Sequence, residues 1–120
     1  MKKVKAAHLQ QGEQSEQRAC DYLMAQGLVQ VARNYRCRYG ELDLIMRDQQ
    51  QSLVVVEVRY RQSDTYGSAL ESITARKQSR IIAATHCYLA SHPQSTPIRF
   101  DVVAISGDNQ LNWVKNAFQT

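Results

Sequence analysis

Apolar residues recur along this chain at two different spacings, and the changes between them outline its elements. From Gly12 to Gln26, Ala19, Cys20 and Leu23 fall on one stripe of a helix that Gly27 is placed to end. Leu28 to Tyr35 alternates loosely, and Leu42 to Arg47 and Ser52 to Tyr60 follow as two further strands. The polar run Asp48-Gln49-Gln50-Gln51 separates these last two, so they read as a hairpin. Leu53-Val54-Val55-Val56 is continuously apolar and mostly β-branched, as befits a strand covered on both faces, and it belongs in the middle of a sheet. Ser68 and Glu71 form a capping box ahead of Ile73, Ile81, Ala84 and Tyr88, which recur at helical spacing up to Pro93. Ile98 to Ile105 reads as another strand, Gly107-Asp108-Asn109 as its turn, and Gln110 to Val114 as a short closing strand. The order helix, three strands, helix, two strands predicts an α/β chain, a sheet with at least one helix packed against it.

Carboxylates break this pattern at informative places. Glu16 lies on the same stripe as Ala19 and Leu23, where a charge is unexpected unless it is paired or bound. A helix-end glutamate leaning into solvent and favoured by the helix dipole fits the same position. In the hairpin, a turn centred on Gln50 sets Asp43 opposite Glu57 and Glu41 opposite Arg59, all on one face because strand side chains alternate. Facing like charges destabilise a sheet, so the pair calls for a cation. Mg²⁺ suits it, because that ion takes hard oxygen ligands and is held by one or two carboxylates together with substrate phosphates. Glu16 adds an outer ligand if its helix packs on this face. The same spacing also fits a half-exposed hairpin neutralised by Arg59 and Arg61 without metal.

Composition narrows the class. With 43% hydrophobic and 22% charged residues the chain can bury a core, which excludes disorder, and 120 residues suit one domain, 1–120. Residues 1–10 are expected to form a flexible basic N-terminus. A net charge of +4 and a pI of about 9.1 favour polyanionic partners. Lys77 and Arg80 on the second helix, Arg33, Arg36 and Arg38 before the hairpin and Arg61 after it read either as a rim for phosphates, with Lys77 and Arg61 foremost, or as scattered solvated surface. Tyr60 and Tyr66 are read as packing residues before base-stacking ones. No apolar run approaches the roughly 20 residues that span a bilayer, so no membrane role and a cytoplasmic location are expected. Cys20, Cys37 and Cys87 are odd in number and widely spaced, and His8, His86 and His92 lack ligand spacing, which points away from disulfides and zinc.

The hairpin residues Asp43 and Glu57-x-Arg59 resemble the signature of the PD-(D/E)XK nucleases, and the chain as a whole is similar to the bacterial YraN family. The resemblance takes in Gly12, Glu16-x-x-Ala19, Asn34, Lys77 and Arg99-Phe100-Asp101-Val102-Val103. It implies a restriction-endonuclease-like core, with a mixed central sheet flanked by helices in the order α-β-β-β-α-β-β. The family is similar to archaeal Holliday-junction resolvases, which implies phosphodiester hydrolysis on DNA, branched DNA included, with DNA preferred to RNA and a homodimer admitted. By position, the resemblance makes Asp43 and Glu57 ligands of Mg²⁺ or Mn²⁺ and Glu16 an auxiliary catalytic carboxylate. Arg59 occupies the place of the signature lysine. Arginine stays protonated and can only orient groups or stabilise charge, so a nucleic-acid-binding module that keeps the fold without turnover is the alternative.

Overall fold

The computed structural model describes residues 7–61 and 71–119, with side chains from Gln10 onward. Helix α1 spans Ala7–Ala25, and strands β1 (Val29–Cys37), β2 (Gly40–Arg47) and β3 (Leu53–Arg61) follow. Helix α2 (Ala75–Ser91) leads to β4 (Ile98–Ser106) and β5 (Leu111–Phe118), so the expected order of elements is the one the chain adopts. Helix α1 and the closing strand are longer than their apolar patterns suggested, whereas α2 begins at Ala75, later than the expected capping box placed it. Residues 1–6 of the expected N-terminal tail, Ser68 of the expected capping box and Tyr66 lie outside the described residues. The cap of α2 is Thr74, whose side chain accepts the Lys77 N–H at 3.1 Å. Among the described residues no helix is long and apolar enough to cross a membrane.

The five strands form one mixed sheet in the order β1-β2-β3-β4-β5. Only β3 and β4 run parallel, joined by the crossover that contains α2. One helix packs on each face. On the α1 side, Ala19, Cys20, Leu23 and Leu28 meet Leu44, Met46, Val54, Val56, Val103 and Ile105. On the α2 side, Ile81, Ala84 and Tyr88 meet Leu42, Ile45, Leu53, Val55 and Phe100. Leu53 to Val56 thus feed both cores, which is why that stretch contains no polar residue.

The outer strands are irregular. The β1 register shifts between Gln30 and Ala32, and β4–β5 pairing shifts between Phe100 and Val102, with Asn116 of β5 at φ 53°. Gly27 ends α1 in the left-handed region at φ 100°, and a Cβ there would stand 2.6 Å from Gln49 Nε2. Gly27→Ala is therefore expected to lower stability by about 1–2 kcal/mol. An unshifted urea midpoint would refute that expectation.

Candidate active site

The hairpin pairs in the register its symmetric turn predicts, from Arg47↔Leu53 to Leu44↔Val56. There the ladder stops. One step further that register brings Asp43 level with Glu57, but the strands part, and Asp43 turns its carboxylate into the gap to accept the Val58 backbone N–H at 2.8 Å. Glu41 takes no part in this ladder. Its ion partner is Arg36 across β1, at 3.5 Å, rather than Arg59.

The strands part at a break in side-chain alternation. Residues two apart on a regular strand share a face, yet Leu44 lies in the α1-side core and Leu42 in the α2-side core. The neighbouring strand does the same: Arg33 reaches Gln17 on α1 at 2.7 Å, whereas the Tyr35 hydroxyl meets Cys87 on α2 at 3.3 Å. Between Arg33 and Tyr35, Asn34 adopts φ 55°, a left-handed conformation that asparagine tolerates better than most side chains. Asp43 thus sits where the two faces of the sheet meet, within electrostatic reach of groups from both helices.

Glu57 is buried on the α2 side, with Arg59 Nη2 at 3.3 Å and Lys77 Nζ at 3.8 Å from its Oε1. Burial pushes its carboxyl up to about 8, the adjacent Asp43 adds to the rise, and Arg59 and Lys77 oppose it. Asp43 is raised too, chiefly by burial, against the Val58 hydrogen bond. Glu41 adds to the rise of Asp43 and Asp43 to that of Glu57, so the cluster holds a proton more readily than solvated acids do. On the α1 side, Glu16 lies 3.9 Å from Arg33 and is pushed up to about 7 by burial and by Asp43, with Arg33 opposing.

The donor set suits a hard divalent cation, because two carboxylates sit together with their charge only partly offset. Among the described residues no group of three or more His, Cys, Asp or Glu side chains is gathered to hold a metal ion, so substrate or water oxygens would complete the shell around Asp43 and Glu57.

The remaining expected residues separate. Lys77 is at the centre, and Arg38 shares a pocket with Lys77 and Arg80. Arg36 is exposed against Glu41, Arg61 is exposed at the end of β3, and Arg33 faces α1. Tyr60 packs against the α1-side core, as a packing residue should. Two features were not singled out from sequence. Among the described residues Arg59 Nε is buried with no hydrogen-bond partner, which leaves a donor at the site for a ligand. Tyr39 is 46% exposed at the β1–β2 turn, and its place beside Arg38 was the available signal.

A five-stranded mixed sheet with a helix on each face and a paired carboxylate at the fork of β2 and β3 defines an α/β protein with an acidic, cation-flanked centre. The chain belongs to the uncharacterised protein family UPF0102, whose family model matches residues 15–105; this is the YraN-type family that the sequence resembles. It is similar to a UPF0102 protein of Nitrosococcus oceani, 50% identical over 119 residues that cover 95% of each chain. A UPF0102 protein of Nitrosomonas europaea is also 50% identical, over 109 residues, 89% of this chain and 92% of the relative. Among solved structures, a repair endonuclease from Pyrococcus abyssi superposes with TM-score 0.46 at 16% identity, over 88% of this chain and 41% of that one. The EndoMS complex with double-stranded DNA gives TM-score 0.39 at 12% identity, and this chain spans 37% of it. Both structural likenesses are loose, and the chain covers well under half of either protein.

Proposed function

We propose that this protein is a divalent-metal-dependent phosphodiesterase acting on DNA, branched DNA included. The observation that carries the reading is the Asp43–Glu57 pair, two carboxyls each raised above the ordinary range at the fork of the central strands. Bound there, Mg²⁺ or Mn²⁺ supplies the positive charge that both carboxylates require and polarises a phosphodiester oxygen. Around it, Arg59 offers a guanidinium with an unused Nε donor to a phosphate oxygen. Lys77 brings an ammonium to the same centre and stabilises negative charge as it develops. The Glu16 carboxylate, held near 7, can take or return a proton at neutral pH.

One observation favours a second reading, a nucleic-acid-binding module without turnover. Glu57 already has two cationic partners, and one of them, Arg59, stands where the signature places lysine. The two readings part on a panel of linear, flapped, single-stranded and four-way DNA with Mg²⁺ or Mn²⁺, using Asp43→Ala as control. Cleavage by the parent and none by the control supports the enzyme. Binding by both proteins without cleavage by either supports the module, and no binding refutes both. Within the enzyme reading, Arg59→Lys is expected to retain or raise turnover and Arg59→Ala to lower it. An alanine variant as fast as the parent would remove Arg59 from the chemistry.

A further inference from the structure

We infer that the pocket between the β1–β2 turn and the start of α2 is a nucleotide subsite, taking a phosphate on Arg38, Lys77 and Arg80 and an unpaired base on the Tyr39 ring. The inference rests on the nucleic-acid reading above and deepens it by naming the form of the substrate. The pocket holds about 380 Å³, within the roughly 300–1,000 Å³ range of small-ligand sites. Its lining also includes Cys37, Gly40, Glu41 and Ile81. Three cations therefore face one carboxylate, and that carboxylate, Glu41, is already tied to Arg36 at 3.5 Å. The pocket is electropositive, yet it adjoins the acidic centre through Lys77, which lines it and also stands 3.8 Å from Glu57. A phosphate held here would neighbour a phosphate held at the carboxylates.

Tyr39 supplies what phosphate binding alone does not need. It belongs to neither core, is 46% exposed, and carries the Arg38 guanidinium 4.8 Å from its ring centroid, with Arg38 Nη2 donating to its hydroxyl at 2.6 Å. The turn that presents it is short, because Cys37 pairs with Gly40. It is also seated on α2, since a Cβ at Gly40 would stand 3.5 Å from the Arg80 carbonyl oxygen. The ring is thus an exposed aromatic on a fixed mount beside three cations, the combination that holds single-stranded nucleic acid by stacking and phosphate contact. In an intact duplex the base faces are covered by their neighbours. Tyr39 can hold an unpaired base only at a single strand, flap or junction.

The test is fluorescence anisotropy in chelator with labelled oligothymidine and a blunt duplex of equal length, using variants whose melting temperatures match the parent. Tyr39→Ala is expected to weaken single-strand binding about 5- to 100-fold, the loss of one stacked base, and to leave duplex binding nearly unchanged. Tyr39→Phe should retain affinity, and Tyr39→Trp should bind with a change in indole fluorescence as the base stacks. Arg80→Gln should weaken both ligands and reduce the slope of log affinity against log salt by about one. Equal losses on the two ligands for Tyr39→Ala, or no loss on either, overturn the subsite while the nucleic-acid reading stands. A parent that binds neither ligand overturns both.

Discussion

Asp101→Ala is expected to lower stability by about 3–5 kcal/mol, a large enough loss to threaten folding of a chain this size. The carboxylate is fully buried on β4 and accepts four hydrogen bonds: from Arg99 Nε at 2.8 Å and Nη2 at 3.0 Å, from the Trp113 indole at 2.9 Å, and from the Asn116 backbone N–H at 2.9 Å. Arg99 continues to Asp48 at 3.2 Å, so one buried acid ties β4, β5 and the β2–β3 turn together. Removing it strands four donors and leaves a half-buried guanidinium with Asp48 as its remaining acid. Asp101→Asn keeps the shape and loses the charge, so it should fall between parent and alanine. Urea denaturation compares the three, and a loss below about 1 kcal/mol for alanine would show that the network adds little to stability.

The second large effect concerns the carboxylate pair and changes sign with metal. In chelator above about pH 8, where Glu57 is ionised, Asp43→Asn removes one of two neighbouring negative charges, and its side-chain oxygen can still accept the Val58 N–H, so it should raise stability by about 0.2–1 kcal/mol. With divalent metal at ten to a hundred times its dissociation constant, the parent gains about 1.4–2.7 kcal/mol that the variant largely forgoes. Paired melting curves should therefore cross over. The same two proteins in the same order with and without metal would remove Asp43 from any metal site.

The pH dependence in chelator follows from the same pair. Glu57 is raised from 4.5 to about 8 in the folded chain, so folding favours its protonated form. Its contribution to stability is complete below about 4.5 and is lost as pH rises towards about 8. Removing the Asp43 charge should flatten this decline. An equally steep decline in Asp43→Asn would show that burial alone, and not the neighbouring acid, sets the Glu57 titration.

What could be read from the sequence depended on range. The β2–β3 register was legible because a symmetric turn and a buried, continuously apolar strand leave one pairing that keeps Leu44, Met46, Val54 and Val56 in a core. Extending that alternation to Glu41 failed because the strands part at Asp43, level with the left-handed Asn34 on β1. Asparagine there was visible, but its left-handed backbone was not. Arg33 looked like part of a phosphate rim; in the fold, the side it faces is decided by the same break, which turns it towards Glu16. Asp48 read only as a turn residue, and its bond to Arg99 spans 51 positions, a contact no local pattern encodes. Charged residues in a strand pattern can mark either a site or a buried network, and only packing tells Glu57 from Asp101.

The irregular outer strands bear on how readily the open borders of the sheet can pair with another chain. An open sheet offers two rows of unpaired backbone groups, and Val29 and Val31 lie exposed along one of them, a sequence inviting a further strand. The register shift at Gln30/Ala32 puts the extra residue Val31 into that border, while on the opposite border Asn116 spends its N–H on Asp101. Neither border is a straight template, so both resist the recruitment of a neighbouring chain into a growing β-stack, and the apolar side chains on β1 can be tolerated at the surface.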